Sequence, residues 1–326
     1  MRVGIGVSED LPAGVQRDLA RTVEDAGYAS LWTNEAAGRD ALLQCREWAY
    51  ATHHLEVGIG VVPIWSRSPA QLAMAAATLQ EATEGRFLLG LGVGHPATAG
   101  PWHGASYRRP LTAAREMLDI LAILGRGDAA DVSGEVFTCQ GFAVGITPTP
   151  PPAPRYLAAM GPRMLELAGE AADGVLLNWS TPAAVGDAVG TVRQAAAGRE
   201  VRSAAYVRIA VDPDTRAARA ALAREFGRYC ALPAYASHFE RQGLGEAVTA
   251  VKNAFRDGGP AAVAEVLDDD VLQVVGWYGS PDDDPGPTLD AYAGAGLDHL
   301  VARVVVTGDD AEASVRAVVG ALAPPA

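Results

Sequence analysis

The chain has 326 residues, 49% of them hydrophobic and 20% charged, enough to build one large α/β core. Its formal net charge of -13 argues against general binding to nucleic acid or to anionic membrane surfaces. The N-terminus enters a strand at once and no apolar run reaches bilayer length, so a soluble cytoplasmic protein is expected.

Short apolar strands alternate with Ala- and Leu-rich helical stretches along the chain. A strand over residues 3–7 leads to a helix over 15–26 and a second strand over 30–34. A helix over 40–51, a strand over 55–62, a helix over 69–82 and a fourth strand over 87–93 follow. Pro110 suits the first turn of a helix over 110–124. Residues 132–144 then form short extended pieces, and Pro148, Pro150, Pro151, Pro152 and Pro154 cannot continue a helix or a central strand. This stretch reads as an inserted hairpin and rigid connector, a lid or a contact surface. A strand over 156–160, a helix over 164–172 and strands over 174–178 and 206–211 resume the alternation. A long helical insertion over 214–267 precedes the eighth strand, 299–307, and a final helix over 311–322. Eight strand–helix units predict a (β/α)8 TIM-like barrel, a single domain over 1–326, with insertions after strands four and seven.

Ligands of such barrels lie at the C-terminal ends of the strands, which selects four segments. Residues 84–96 read as a strand buried on both faces that runs into a glycine-lined turn and stops at Gly94, His95 and Pro96. Alternate glycines leave one face without side chains, open to a flat ligand; a tight barrel layer with a surface turn reads the same. The dinucleotide fingerprint is incomplete, with Ala97 where a third glycine belongs and Pro96 interfering with the helix that should open there. Asn34 and Glu35 end strand two. They sit on the ligand-facing rim, or belong to an N-cap around Asp40 with an ion pair from Glu35 or Asp40 to Arg39. Gly58 and Gly60 in strand three indicate a bulge, a close backbone approach or relief of crowding; Trp65 beyond them suits packing, and Arg67 suits a phosphate, a carboxylate or a neighbouring acid. Met160, Gly161, Pro162 and Arg163 form a strand end, a tight turn and a helix start, where free N–H groups and a guanidinium suit a phosphate, although a plain turn looks alike.

Other chemistries find little footing. Cys45, Cys139 and Cys230 are odd in number and scattered, and the six histidines show no zinc spacing, so no metal is expected. Lys252, the sole lysine, lies in a polar helical stretch, against Schiff-base catalysis.

Taken together, residues 32–40, 58–69, 85–95 with Trp102-His103-Gly104, 158–163 and 167–175 resemble the luciferase-like oxidoreductases, specifically the branch using the deazaflavin coenzyme F420. The resemblance covers nearly the whole chain. It implies a barrel whose C-terminal mouth holds the deazaflavin, with Gly60 and Val61 behind the ring across a non-prolyl cis peptide. It also implies that Met160, Gly161, Pro162 and Arg163 take the phosphate, with Gly94 beside the cofactor and Asn34 and Glu35 bordering the ring. Some members oxidise alcohols with a His directly after the strand-two acid, a position that is Ala36 here. Such members carry an acid for proton donation where this chain has His95, and imidazole is a competent general acid near neutral pH. The expectation is therefore hydride transfer from reduced F420 to a small organic substrate, reducing a C=C or C=N bond, with His95 and Glu35 as catalytic groups. An FMN-dependent monooxygenase and a non-catalytic ligand-binding barrel are the alternatives. Residues Trp102, Tyr107, Phe239, Trp277 and Tyr278 point to an apolar or aromatic substrate pocket, and the resemblance implies a homodimer through helices two and three.

Overall fold

Eight parallel strands close into a barrel in the computed structural model, which describes residues 1–324. The last two residues of the 1–326 span expected as one domain lie outside the described residues. The strands are β1 (Arg2–Gly6), β2 (Ser30–Thr33), β3 (Glu56–Pro63), β4 (Phe87–Gly92), a hairpin of β5 (Ala130–Ser133) and β6 (Thr138–Phe142), then β7 (Arg155–Ala158), β8 (Gly174–Asn178), β9 (Arg202–Val211), β10 (Gly276–Gly279) and β11 (His299–Val304). The barrel runs β1-β2-β3-β4-β7-β8-β9-β11 and returns to β1. β10 pairs with β9 beyond the end of β8. The TIM-like barrel expected from the alternation is present, with insertions after its fourth and seventh strands.

Several helices begin where the sequence offers an acceptor side chain to the free N–H groups of the first turn. Asp40 accepts from the Leu42 and Leu43 amides ahead of the helix Ala41–Ala51. Ser68 and Thr181 do the same for Pro69–Ala82 and Pro182–Ala195, where proline stands in the first turn and needs no partner.

Two side-chain layers share the strands. The outer faces pack on the helices in one large core containing Ile5, Leu31, Val57, Leu89 and Ile209. The inner faces form a separate lumen cluster of Trp32, Leu88, Tyr156, Leu176, Ala204, Tyr206 and Val301. Trp32 is wholly buried at its centre, with edge-on contacts to Tyr156 at 5.8 Å and Tyr206 at 6.4 Å. This bulk explains Gly58: a Cβ there would lie 2.5 Å from the Trp32 ring.

The helical insertion has its own core around Phe226, Phe239 and Leu272. The β5–β6 hairpin packs beside the helix Pro110–Gly125. There Glu116 collects the amides of Glu135, Val136 and Phe137 at 2.7–3.0 Å, and Phe137 reaches the Trp65 ring at 5.8 Å.

Several elements depart from the sequence expectation. A helix, Pro96–His103, does open at Pro96, because proline is well placed in a first turn and His95 supplies the cap. The seventh barrel strand begins at Arg202 rather than 206: Ser203, Ala204 and Ala205 have weak strand propensity but are buried between β8 and β11. The helix Pro182–Ala195 and the strand β10 were not expected at all.

Candidate active site

Side chains alternate along a strand, so the residue two beyond a lumen residue also faces the lumen, nearer its mouth. Advancing from Trp32, Leu176, Tyr206 and Val301 brings Asn34, Asn178, Arg208 and Arg303 to the C-terminal mouth. An apolar lumen is thus closed at this end by amides and guanidinium groups.

β3 shapes one side of the mouth. The Gly60–Val61 peptide is cis, and the register against β4 shifts between Ile59 and Val62. Val61 packs on the lumen cluster, and its carbonyl accepts from the Glu35 amide at 3.2 Å. The face opposite Gly90 and Gly92, expected to be open to a flat ligand, is filled by this irregularity. A Cβ on Gly90 would lie 2.1 Å from the Ile59 carbonyl oxygen, and one on Gly92 2.5 Å from Val61 Cγ2. Gly94 is the exception, with φ +59° and its nearest neighbour, Pro63 Cβ, at 3.7 Å.

Glu35 and Asp40 are joined by Arg67, not by Arg39. Arg67 Nη1 donates to Glu35 Oε1, which also accepts from Ser66 Oγ at 3.2 Å, and Arg67 Nη2 donates to Asp40 at 2.6 Å. Arg39 instead turns away to donate to the Leu11 carbonyl at 2.7 Å. Burial disfavours the Arg67 charge, yet the hydrogen bonds and charges of Glu35 and Asp40 outweigh it and hold the guanidinium above its ordinary range. Glu35 Oε2 and Asn34 Oδ1 are both buried without a hydrogen-bond partner, while Asn34 Nδ2 donates to Glu9 at 2.7 Å. These two oxygens are acceptors suited to the N–H or O–H groups of a ligand.

His95 ends the turn after β4, partly exposed, with Nδ1 accepting the Ala97 amide at 3.1 Å. That bond assigns the neutral ring's proton to Nε2, leaving Nε2–H as the donor not used by the cap. Past β7, Gly161 precedes the helix Pro162–Ala171 without any side-chain cap, and Arg163 is exposed with no ion-pair partner among the described residues. Met160 and Pro162 line a cavity of about 160 Å³ with Ser180, His238 and Gln242, and the Met160 carbonyl accepts from Arg241 at 3.1 Å. Burial, then the charge of Arg241, lowers His238 to about 4, so it is neutral at physiological pH.

All ten expected site residues therefore lie at the C-terminal ends of β2, β3, β4 and β7. Asn34, Glu35, Gly60 and Val61 are brought together, whereas no hydrogen bond or ion pair among the described residues links His95 to Glu35 or to Arg163. The expected aromatic pocket is only partly present. Phe239 is wholly buried in the insertion core, Trp277 is buried in the main core, and Tyr107 packs on Trp65 at 5.6 Å. Arg208, Arg303, Asn178 and Glu9 were not anticipated. A charged residue inside the otherwise apolar run 206–211 was the available signal.

A cavity of about 470 Å³ is elsewhere. It lies between Gln80, Leu124, the proline connector and the first residues of β7 and β9. That is the N-terminal end of the barrel, where conserved chemistry of this architecture does not sit.

A barrel with a bulged third strand, polar groups closing the mouth and an uncapped helix start after its fifth strand defines a luciferase-like protein. The family model described as "Luciferase-like monooxygenase" matches residues 2–299, and the chain belongs to this family. It is 32% identical to the 5,10-methylenetetrahydromethanopterin reductase of Archaeoglobus fulgidus over 294 residues, 87% of each protein. It is 29% identical to a Mycobacterium tuberculosis protein provisionally named a coenzyme F420-dependent oxidoreductase, over 78% of this chain and 81% of the relative. Among solved structures, the coenzyme F420-dependent tetrahydromethanopterin reductase of Methanopyrus kandleri superposes with a TM-score of 0.83 at 24% identity, covering 98% of both chains.

Proposed function

We propose that this chain is a coenzyme F420-dependent oxidoreductase that reduces a C=C or C=N bond of a small organic substrate. The observation that carries this reading is the 32% identity, across 87% of the chain, to an enzyme named a reductase. Reduced deazaflavin, when bound, supplies the hydride.

The residues present fit that group. The uncapped helix start at Gly161 has open space where a Cβ would project, and its N–H groups with Arg163 suit the phosphate. Asn34 Oδ1 and Glu35 Oε2 offer unused acceptors at the edge of the mouth to N–H groups of a flat ring. Gly60 and Val61, across the cis peptide, would back the ring, and the space at Gly94 would leave room beside it.

Glu35 has a positioning role, anchored by Arg67 and by the Val61 carbonyl. With Nδ1 used by the Ala97 amide, Nε2–H of His95 is the donor left to serve a substrate. Charging the ring would place a proton on Nδ1 and break the cap, so full proton transfer from His95 competes with the helix start. Ala36 leaves no imidazole beside Glu35 to remove a hydroxyl proton, which favours reduction over alcohol oxidation.

The exposed apolar side chains of Leu43, Tyr50 and Met74 lie on the helices Ala41–Ala51 and Pro69–Ala82, the second and third of the barrel. They support a homodimer through that face. No helix among the described residues is long and apolar enough to cross a membrane.

Oxidation of reduced F420, followed by the return of its absorbance against a panel of enones, imines and quinones, tests the reaction. Turnover of an enone or imine is expected. Turnover of secondary alcohols with oxidised F420, and of no acceptor in the panel, would overturn the direction of the reaction.

A further inference from the structure

Arg208 and Arg303 are register partners on β9 and β11, and both follow lumen residues by two positions. Arg208 is 2% exposed. Its Nη1 donates to Asn178 Oδ1, and Asn178 Nδ2 in turn donates to Tyr235 Oη at 2.8 Å. The guanidinium lies over the Trp179 ring at 4.1 Å and near that of Tyr229 at 5.3 Å. One part of the group is thereby fixed by packing and a hydrogen-bonded amide.

Another part of it is unused. Arg208 Nε is buried with no hydrogen-bond partner, and so is Arg303 Nη1. Among the described residues no carboxylate forms an ion pair with either arginine, and Glu225, whose charge reaches Arg208, is itself paired with Arg228 at 2.7 Å. Burial and the neighbouring charge of Arg303 both work against the Arg208 cation. Two like charges with orphaned donors in a low-dielectric mouth are costly unless an anion joins them. Planar, forked N–H donors match the oxygens of a carboxylate or a phosphate.

We propose that Arg208 and Arg303 form an anion subsite at the lumen mouth that holds a carboxylate or phosphate of the substrate. The chain then acts on acidic molecules, with Arg208 and Arg303 as specificity-determining residues. The subsite belongs to β9 and β11, apart from the helix start after β7 that suits the cofactor phosphate. The inference rests on the proposed reaction only in calling the occupant a substrate.

The test is side-chain 15N NMR of the full chain carrying Arg163→Ala, titrated with inorganic phosphate. Arg208→Gln identifies the Arg208 Nε–H resonance. That resonance should shift saturably, and Arg303→Gln should weaken phosphate at least tenfold, the loss expected for a charge-assisted hydrogen bond. Arg303→Lys, which keeps the charge, should fall between the two and covers the case in which Arg303→Gln fails to fold. A resonance that does not move, or an affinity unchanged in both Arg303 variants, overturns the subsite. Addition of F420 alone separates the two sources of an anion. If F420 shifts the same resonance and displaces phosphate, the anion is the cofactor's and the substrate assignment is overturned; if both bind together, it stands. Should F420 fail to bind the chain with Arg163 intact as well, the proposed reaction fails while the phosphate response still decides the subsite.

Discussion

Glu35 and Arg67 tie the end of β2 to the loop after β3, with a guanidinium nitrogen on Glu35 Oε1 and the other bound to Asp40. The pair is mostly buried, with Arg67 18% and Glu35 11% exposed. It holds the acidic side of the mouth in place before any ligand arrives.

Arg67→Ala should therefore lower the unfolding free energy by about 1.5–3 kcal/mol, because a charged acceptor is left without its donor. Arg67→Lys should recover little of this, since one ammonium cannot span two carboxylates as a planar fork does. Urea unfolding measures both. A loss below about 0.5 kcal/mol for Arg67→Ala would place the pair among surface ion pairs.

His95 caps a helix start through Nδ1, and in the proposed reaction it has a second, separable role as a donor through Nε2. His95→Ala should cost about 1 kcal/mol of stability through the lost cap and about 10²–10³ in kcat through the lost hydrogen-bond donor. Asn is a good cap but cannot reach as the imidazole does, so His95→Asn should regain stability and not turnover. Single-turnover hydride transfer on folded protein separates the two, and near-wild-type rates in His95→Asn would reduce His95 to a capping residue.

Arg163 is exposed and makes no ion pair among the described residues, so its removal should leave stability unchanged. Arg163→Ala should raise the F420 dissociation constant about tenfold or more, as loss of a charge-assisted hydrogen bond of roughly 1.5–3 kcal/mol requires. An unchanged constant, measured by fluorescence titration, would remove the phosphate from the Gly161 helix start.

Two buried histidines set an acid limit. Burial lowers His238 from 6.5 to about 4, and burial with the charges of Arg2 and Arg202 lowers His299 from 6.5 to about 3. Both are neutral when folded, so the unfolded chain takes up their protons first as pH falls. Their contribution is fully present above pH 6.5, declines as pH falls toward about 4 for His238, and continues to decline toward about 3 for His299. Each contributes a slope of up to about 1.4 kcal/mol per pH unit in that window. Urea unfolding across the window should show the decline, shallower in His238→Asn. Stability that stays level from pH 6.5 down to about 4.5 would contradict it.

Much of this architecture was legible in the sequence because barrel strands and amphipathic helices have different periods. The eight strands, the hairpin and the helical insertion all follow from that contrast. What escaped depended on tertiary partners. Ser203 to Ala205 become strand because β8 and β11 flank them, not by propensity. Pro96 was read as a barrier to a helix that it in fact begins once His95 turns back to cap it. The rim positions of Asn34, Glu35 and Gly161 could be read from strand ends alone. The partner of Glu35 could not, because Arg67 arrives from the loop after β3, and Gly90 and Gly92 make room for β3 rather than for a ligand.

Cofactor preference tests the central claim most directly. Fluorescence titration of the purified chain with F420 and, separately, with FMN should give micromolar binding of the deazaflavin and no saturable binding of FMN. Tight FMN binding with none of F420 would contradict the account and make the chain a flavin-dependent member of its family.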